Sequence, residues 1–356
     1  MLIYSGLCPN CGGDIDEDRM RAGLPCSNCL RVDDLFELGS LSKQLIREKL
    51  LTTHKLGKYL NFLDVESELE EFGKFFNSVT GKELWSIQRS WARRMLSNES
   101  FALIAPTGVG KTTLLLTYSL YRALNGGKVL YVVPTRELMN HVYRTFSNYN
   151  KFGIKCVTSD NIKDSSLEGS FIAVVTHNFI HRNKELIGGL KLDMVAVDDF
   201  DALLKTSSIV DLILKCIGVS DESISHAKKV VSLKSELVFA KYSGNDELVS
   251  RLKEDLYQST LSLVKSIDYS SLGQLLIASA TGRSRGERVK VLRELLGFEV
   301  GAISDYLRNL VEVYGEFNED LCRDLLTKLA GGTLIFVSKD LGLNYSRQLV
   351  SRLRGS

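Results

Sequence analysis

The residues at positions 105–112, Ala-Pro-Thr-Gly-Val-Gly-Lys-Thr, have the types and the order needed to bind a phosphate group. Gly108 and Gly110 carry no Cβ, so the backbone there can turn its N–H groups towards an anion. Lys111 adds a mobile positive charge, and Thr112 adds a hydroxyl that can bind Mg²⁺. The stretch predicts a phosphate-binding loop, and the alternative is a glycine-rich turn that binds nothing.

A group of acidic residues follows an apolar segment about 90 residues further along the chain. Asp198, Asp199 and Asp201 come after Met194–Val197, which is typical of a buried parallel strand. A carboxylate at such a strand end can hold Mg²⁺, and we assign this role to Asp198. Asp199 can then orient and deprotonate an attacking water. A lone acidic pair is usually a helix cap or a turn, but the upstream glycine loop favours phosphoryl transfer.

A third polar group, Ser279-Ala280-Thr281, follows the apolar run Leu275–Ala278. The hydroxyls of Ser279 and Thr281 could bond the acidic side chains and so couple nucleotide state to conformation. By itself this tripeptide has no predictive value.

These groups need a scaffold that brings strand ends together. The glycine loop lies between a strand-like run, Phe101–Ile104, and a helix-like run, Thr113–Leu124. Lys128–Val133 and Phe171–Thr176 continue an alternation of strands and helices that is typical of a parallel sheet covered on both faces. Ligands of such sheets bind at the carboxyl ends of the strands, where each polar group falls.

Four cysteines near the N-terminus have the spacing of a zinc site. Cys8 and Cys11 form one C-x₂-C pair, and Cys26 and Cys29 form another. Two such pairs can close a tetrahedral Zn²⁺ site, and the alternative is a pair of disulfides. We expect the metal to stabilise a segment that is too short for a large core. Three further cysteines lie singly in apolar surroundings and are expected to be inert: Cys156, Cys216 and Cys322.

Taken in order, these motifs resemble those of superfamily 2 helicases. The set includes the glycine loop, Pro134-Thr135-Arg136-Glu137-Leu138, the acidic box and Ser279-Ala280-Thr281. Gln88 lies 17 residues before Ala105, where DEAD-box relatives keep a glutamine that contacts adenine. Ala105 departs from the family pattern, which has glycine at that position.

Two features are similar to the helicase-like half of reverse gyrases in particular. The acidic box continues into Leu204-Lys205, and Cys-Pro-x-Cys-Gly-Gly at 8–13 precedes the helicase motifs. The resemblance covers nearly all 356 residues. Each motif is common to the superfamily, whereas their combination is specific.

The resemblance implies a role for each motif residue. ATP or ADP would contact Gln88, Thr107, Gly108, Val109, Gly110, Lys111, Thr112 and Thr113. Mg²⁺ would lie on Thr112 and Asp198, catalysis would involve Lys111, Asp198 and Asp199, and coupling would involve Ser279 and Thr281. DNA would contact Thr135, Arg136 and Thr176 through its backbone, so binding should tolerate any sequence. The structural alternative for Arg136 is an ion pair with a nearby carboxylate.

The predicted fold is α/β, with a RecA-like parallel sheet. We expect a zinc knuckle (1–36), a helical connector (37–78), a first RecA-like domain (79–306) with a helical insertion (about 204–270), and the truncated beginning of a second RecA-like domain (307–356). Leu310–Tyr314 and Thr333–Val337 would be the first strands of that second domain. The insertion is predicted as Ser208–Ile217, Ser223–Phe239 and Asn245–Ile267.

Composition agrees with a globular chain. Hydrophobic residues make up 44% and charged residues 25% of the sequence, and the net charge is only +2. Any DNA-binding surface must therefore be local. The chain has neither a long apolar run nor a signal pattern, so we expect a cytoplasmic protein with no membrane contact.

The resemblance implies an ATP-binding module that couples ATP hydrolysis to DNA binding and to positive supercoiling by a type IA topoisomerase domain. The sequence up to Ser356 contains neither that topoisomerase domain nor the arginines that superfamily 2 helicases carry towards the end of the second RecA-like domain. We therefore expect a piece of a larger enzyme, poorly active alone. The alternatives are a free-standing superfamily 2 RNA or DNA helicase fragment and a non-hydrolysing, zinc-containing DNA-binding module.

Overall fold

The structure, a computed structural model, describes residues 3–37, 42–198, 207–280, 286–302 and 342–354. The strands are numbered in chain order: β1 (Ile3–Tyr4), β2 (Ile15–Asp16), β3 (Phe101–Ile104), β4 (Lys128–Val133), β5 (Lys155–Thr158), β6 (Phe171–Thr176), β7 (Met194–Asp198), β8 (Gln274–Ser279) and β9 (Glu299–Ala302).

The helices are α1 (Glu17–Arg21), α2 (Val32–Glu37), α3 (Lys43–Thr52), α4 (Tyr59–Thr80), α5 (Ser86–Leu96), α6 (Lys111–Leu124), α7 (Arg136–Tyr149), α8 (His177–Arg182), α9 (Lys184–Gly188), α10 (Ser207–Cys216), α11 (Asp221–Tyr242), α12 (Asp246–Ser266), α13 (Glu287–Leu296) and α14 (Gly342–Arg354). A short 3₁₀ turn lies at Ile162–Asp164.

Seven of these strands form one parallel sheet in the order β5-β6-β4-β7-β8-β3-β9. Ile104 pairs with Ser279, and Asp198 pairs with Ala278. The carboxyl ends of β3, β7 and β8 therefore meet at one edge. The predicted α/β fold class is confirmed, and the strands predicted between residues 101 and 279 agree with β3, β4, β6, β7 and β8 to within a residue at each end.

Both faces of the sheet are covered, which explains why its central strands are apolar at almost every position. All residues of β3 and β8 are buried. On one face, Leu130 and Val132 of β4 pack in a core that includes residues of α8 to α13. The opposite face is covered by α6 and α7, and Tyr131 contacts Phe146 of α7 there, with ring centroids 5.7 Å apart.

The segment predicted to be a helical insertion contains the helices α10, α11 and α12. Helices α11 and α12 pack on each other through a small cluster of Leu233, Ala240 and Leu252. Two lysines of α11 form exposed ion pairs, Lys228 with Asp211 and Lys234 with Glu294. This pairing agrees with a solvated helix face at these two positions.

The N-terminal segment shares one core with the helices that follow it. Its core residues pack with Ile46 and Leu50 of α3 and with Tyr59 of α4. They are Cys8, Ile15, Leu24, Cys26, Cys29 and Leu30. Helix α4 then reaches the large domain, where Phe72 packs edge-on against Tyr118 of α6 at 5.7 Å. Helix α4 thus contacts both the N-terminal segment that carries the cysteines and α6, the helix that begins at Lys111.

The chain divides into two compact units, Met1–Ser304 and Asp305–Ser356. Within the described part of the second unit, residues 342–354 form α14. The predicted strands Leu310–Tyr314 and Thr333–Val337, together with Cys322, lie outside the described residues, and the predicted domain boundaries stay predictions. Among the described helices, none is long and apolar enough to cross a membrane.

Candidate nucleotide and zinc sites

The loop between β3 and α6 has the backbone shape that a phosphate cradle needs. Gly108 has φ 90° and Gly110 has φ 79°, both in the left-handed region that favours glycine. A Cβ on Gly110 would lie 2.5 Å from Nε2 of Gln88, so a side chain there would also displace this amide from the loop. Leu114 N–H donates to Gly110 O at 3.0 Å, which leaves the N–H groups of residues 111–113 without helical acceptors. The start of α6 is therefore suited to an anion.

Lys111 is folded over this loop. Its Nζ donates to Ala105 O at 2.6 Å and to Pro106 O at 2.8 Å. Burial lowers the pKa of Lys111, and the negative charge of Asp198 partly opposes that shift. The ammonium group is therefore held over the loop by two carbonyls that a phosphate could replace.

Thr112 and Asp198 are in direct contact, although they lie 86 positions apart in the sequence. Thr112 Oγ1 donates to Asp198 Oδ2 at 3.0 Å. Both line a cleft of about 610 Å³ whose other walls are the glycine loop and the end of β8. A hydroxyl and a carboxylate at the mouth of one cleft are oxygen ligands of the type that Mg²⁺ prefers.

The end of β8 closes the third side of this cleft. Ala278, Ser279 and Ala280 line it, and Ser279 O accepts a hydrogen bond from Ala105 N–H at 3.3 Å. Ser279 is thus placed next to the phosphate loop. Asp199 and Thr281, which we assigned to catalysis and coupling, lie outside the described residues.

Gln88 is buried beside the glycine loop at the start of α5. Its Nε2 donates to Val109 O at 3.1 Å, and its Oε1 accepts from Trp85 N–H at 3.0 Å. The glutamine amide therefore bonds the loop backbone in this structure. Gln88 thus lies beside the glycine loop, and its contact with adenine stays a prediction.

Tyr131 is a buried tyrosine in β4, below the acidic strand end. It is fully buried. Burial raises the pKa of its phenol well above the usual value, and the negative charge of Asp198 adds to this shift. The sequence analysis did not single out Tyr131, although it is the one side chain with a polar group within the apolar part of β4.

The four N-terminal cysteines converge on one point. Their Sγ atoms all lie within 4.8 Å of one another, and Cys11 Sγ is 3.7 Å from Cys26 Sγ. Zn–S bonds of ~2.3 Å in a tetrahedron place the sulfurs about 3.8 Å apart, so this donor set fits zinc. Four thiolates leave no open coordination position, which indicates a structural rather than a catalytic metal.

Backbone N–H groups support the sulfurs of this cluster. Cys26 N–H donates to Cys8 Sγ at 3.2 Å, and Gly13 N–H donates to Cys11 Sγ at 3.3 Å. Burial alone would raise the pKa of Cys8, but N–H groups of Cys11, Cys26 and Asn10 outweigh it and lower the pKa to about 7. Burial raises the pKa of Cys216, away from the cluster, to about 11, as expected for an inert core thiol.

Asn10, inside the first knuckle, attaches the cysteine cluster to the helices that follow. Its Nδ2 donates to Lys55 O at 2.8 Å, and its Oδ1 accepts from Gly57 N–H at 2.7 Å. Its backbone carbonyl accepts from Lys58 N–H at 2.8 Å. Sequence reasoning missed this contact, since an asparagine between two cysteines carries no signal for a partner 47 residues away.

The three residues assigned to DNA lie at the same edge of the sheet. Thr135 caps α7 by accepting from Leu138 N–H at 3.2 Å, and Thr176 caps α8 in the same way with Phe179. Arg136 pairs with Asp160 at 3.0 Å, and both side chains are more than half exposed. The ion-pair alternative is therefore present in the free chain, with Asp160 as a partner that the sequence did not indicate.

Comparison with known proteins adds to this geometry. Residues 85–232 match the DEAD/DEAH box helicase family, and residues 1–43 match the reverse gyrase zinc finger. Reverse gyrase 2 of Aeropyrum pernix is 40% identical over 99% of this chain and 30% of its own length. The reverse gyrase of Pyrobaculum aerophilum is 34% identical over 96% of the chain and 29% of its own length. That of Pyrococcus furiosus is 35% identical over 99% and 30%.

The fold and the matched helicase family define the chain as a P-loop ATPase of the DEAD/DEAH-box type, for which ATP and Mg²⁺ are the cofactors. The zinc finger and the relatives narrow this class. The chain belongs to the reverse gyrase family, as its zinc-finger and helicase-like region, and Zn²⁺ is its third cofactor. It spans about 30% of the length of these relatives.

Proposed function

We propose that the chain is the ATP-driven part of a reverse gyrase. In this proposal nucleotide binding and hydrolysis control DNA binding, and through it positive supercoiling by a type IA topoisomerase domain. The observation that carries the proposal is the 3.0 Å hydrogen bond between Thr112 and Asp198. It joins the phosphate loop and the acidic strand end across one cleft, as ATP hydrolysis with Mg²⁺ requires.

The proposed roles within the cleft follow from position and charge. Lys111 would leave the Ala105 and Pro106 carbonyls for the β- and γ-phosphates, while Thr112 and Asp198 would hold Mg²⁺. Thr107, Gly108, Val109, Gly110 and Thr113 would complete the nucleotide contacts, with Gln88 at the adenine. Asp199 would orient the attacking water, and Ser279 and Thr281 would couple the nucleotide to conformation. Cys8, Cys11, Cys26 and Cys29 would bind the structural Zn²⁺.

Coupling between nucleotide and DNA tests the proposed function directly. We expect a non-hydrolysable ATP analogue with Mg²⁺ to change the affinity of this chain for DNA by about fivefold or more. Because binding free energies are linked, DNA must change the analogue's affinity by the same factor. Anisotropy of labelled DNA with and without analogue, and of a fluorescent nucleotide with and without DNA, measures both factors.

The same measurements separate the alternatives. If the chain binds both DNA and the analogue, but neither ligand changes the affinity for the other, the proposal is contradicted. That result would favour a zinc-containing DNA-binding module. Separation of a short duplex by the chain alone would instead favour a free-standing helicase.

Arg136 gives a prediction for the DNA surface. Arg136→Ala is expected to weaken single- and double-stranded DNA binding by similar factors, and to lower the slope of log affinity against log salt by about one. The Asp160 pair does not prevent this role, because an exposed ion pair contributes only ~0–1 kcal/mol and can be exchanged for a phosphate. Anisotropy titrations at several salt concentrations, on two unrelated DNA sequences, give both quantities.

Two control variants sharpen this test. Asp160→Asn should leave DNA affinity unchanged or strengthen it, because it frees Arg136 and removes a negative charge from the surface. Arg144→Ala makes the same charge change on the exposed side of α7, about 12 Å further from the strand ends, and should leave affinity nearly unchanged. Equal losses in the Arg136 and Arg144 variants would show a general charge effect and rule out a specific contact.

A further inference from the structure

The phenol of Tyr131 is a buried polar group that the proposed roles do not use. Its side chain is completely buried in β4, and its Oη has no partner at normal hydrogen-bond geometry within the described residues. Leaving such a group unpaired costs stability, which is why few native groups remain so. Tyr118, which is equally buried, is satisfied: its Oη donates to Met95 O at 2.7 Å and contacts Gln274 Oε1 at 3.1 Å.

Strand register places this unpaired phenol below Asp198. Tyr131 pairs with Ala196 of the neighbouring strand β7, and Asp198 lies two residues further along β7 on the same face. Strands ~4.8 Å apart and a two-residue advance of ~6.6 Å give a diagonal of about 8 Å between the two Cα atoms. A tyrosine that leans along its strand can cover that separation.

The surroundings of the phenol leave few other directions for a hydrogen bond. Phe146 lies edge-on to the Tyr131 ring at 5.7 Å, and Val174 and Ala196 are the paired residues on the two neighbouring strands. Burial raises the pKa of the phenol, and the charge of Asp198 and a hydrogen-bond interaction with the same carboxylate raise it further. The phenol therefore keeps its proton and remains a hydrogen-bond donor at neutral pH.

We propose that Tyr131 is a positioning residue for Asp198, whose carboxylate it holds from below by donating a hydrogen bond when the Thr112 hydroxyl coordinates Mg²⁺. In the free chain, Thr112 Oγ1 supplies a hydrogen bond to Asp198 Oδ2. When the threonine oxygen also coordinates a cation through a lone pair, the same hydroxyl has to serve the metal and the carboxylate together. The phenol supplies a second donor from the opposite side and leaves the outer face of the carboxylate towards the cleft.

This inference rests on the proposed function, since it needs a Mg²⁺–nucleotide complex at Thr112 and Asp198. Tyr131 itself lies too deep to touch a nucleotide, so its effect must pass through Asp198. In the free chain the phenol has no partner at normal hydrogen-bond geometry, whereas the loaded chain gains one charge-assisted hydrogen bond.

Tyr131→Phe in the whole chain tests the inference through binding rather than turnover. Mg²⁺ is added while the affinity for a fluorescent ADP is measured. We expect the Mg²⁺ concentration at half of the full increase in affinity to be about tenfold higher in the variant, because a hydrogen bond to a charged acceptor is lost. ADP affinity in EDTA should be unchanged. The melting temperature of the nucleotide-free protein should be unchanged or higher, because an unpaired buried hydroxyl has been removed.

Tyr118→Phe is the matched control, because it removes the phenol of another fully buried tyrosine. It should lower the melting temperature, since Gln274 Oε1 and Met95 O each lose the phenol as a donor, and should leave the Mg²⁺ dependence unchanged. In an Asp198→Asn background, Tyr131→Phe should have no further effect on the Mg²⁺ dependence.

Three outcomes with these variants would overturn the inference and leave the proposed function standing. An unchanged Mg²⁺ dependence in Tyr131→Phe would show that the phenol has no effect on Mg²⁺ binding. Equal losses of ADP affinity with and without Mg²⁺ would show a general structural role. Additive effects with Asp198→Asn would exclude action through that carboxylate. Wild-type protein that binds no nucleotide at all would contradict the proposed function, and this inference with it.

Discussion

Lys111→Ala is expected to weaken the binding of ADP and ATP by roughly ten- to thousandfold. Lys111 Nζ now bonds the Ala105 and Pro106 carbonyls, at the place where the phosphates would enter. Without the ammonium group, these two carbonyl oxygens would face the phosphates with no positive charge between them. The variant therefore loses the attraction between the ammonium group and the phosphates. The repulsion between the carbonyl oxygens and the phosphates is then no longer compensated.

Titration of a fluorescent ADP, with Mg²⁺ and in EDTA, measures the effect of this change. The Lys111 variant should lose affinity under both conditions, because its contact is with phosphate. Asp198→Asn should lose affinity only when Mg²⁺ is present, because its contact is with the metal. If the Lys111 variant binds ADP as tightly as the wild type does, the glycine loop is not the nucleotide site.

Thermal unfolding separates this loss of binding from damage to the fold. The nucleotide-free variant should melt near the wild-type temperature, since a partly buried ammonium has been removed together with its desolvation cost. Excess ADP at about 100 times its dissociation constant stabilises a folded protein by ~2.7 kcal/mol, which raises the melting temperature. The variant should show little of that increase at the same ADP concentration.

The parts of the fold that the sequence predicted are those with local signals. The central strands are apolar runs bounded by polar or glycine residues, and a parallel sheet buried on both faces requires such runs. The phosphate loop and the cysteine pairs depend on spacing within a few residues. The contact between Thr112 and Asp198 was predictable as well, because both follow strands whose carboxyl ends share an edge.

The features that could not be predicted depend on pairings between distant segments. Asn10 meets Lys55 and Gly57, and Arg136 meets Asp160, without any local pattern that marks the partner. The strand order that places Tyr131 next to β7 follows from the packing of whole βαβ units. The sequence indicated separate segments at 1–36 and 37–78, but it held no sign that they share one core.

This shared core determines the second large effect, the loss of zinc. Structural Zn²⁺ contributes an apparent ~10–16 kcal/mol to the folding of zinc-finger peptides at neutral pH. Cys8→Ala together with Cys11→Ala removes half of the ligand set and should release the metal. Ile46, Leu50 and Tyr59 pack on the cysteines, so the loosened region should include α3 and the start of α4.

Hydrogen exchange measures how far this loosening extends. Amide protection should be lost from the N-terminus to about Lys58, where the hydrogen bonds to Asn10 end. It should remain from Phe72 onwards, because Phe72 packs on Tyr118 and Tyr121 of α6 at 5.7 and 5.3 Å. The sheet and its nucleotide cleft should stay folded, so ADP affinity should change little.

Elemental analysis and a matched cysteine variant complete the test. Wild-type protein purified without chelator should contain one zinc per chain, and Cys216→Ala, which alters a buried cysteine away from the cluster, should contain the same amount. Protein without zinc, or full protection of residues 3–58 in the double variant, would contradict a structural metal at this site. Loss of protection in the sheet as well would mean that unfolding of the N-terminal cysteine segment extends through α4 to α6. The N-terminal segment and the sheet would then not fold independently.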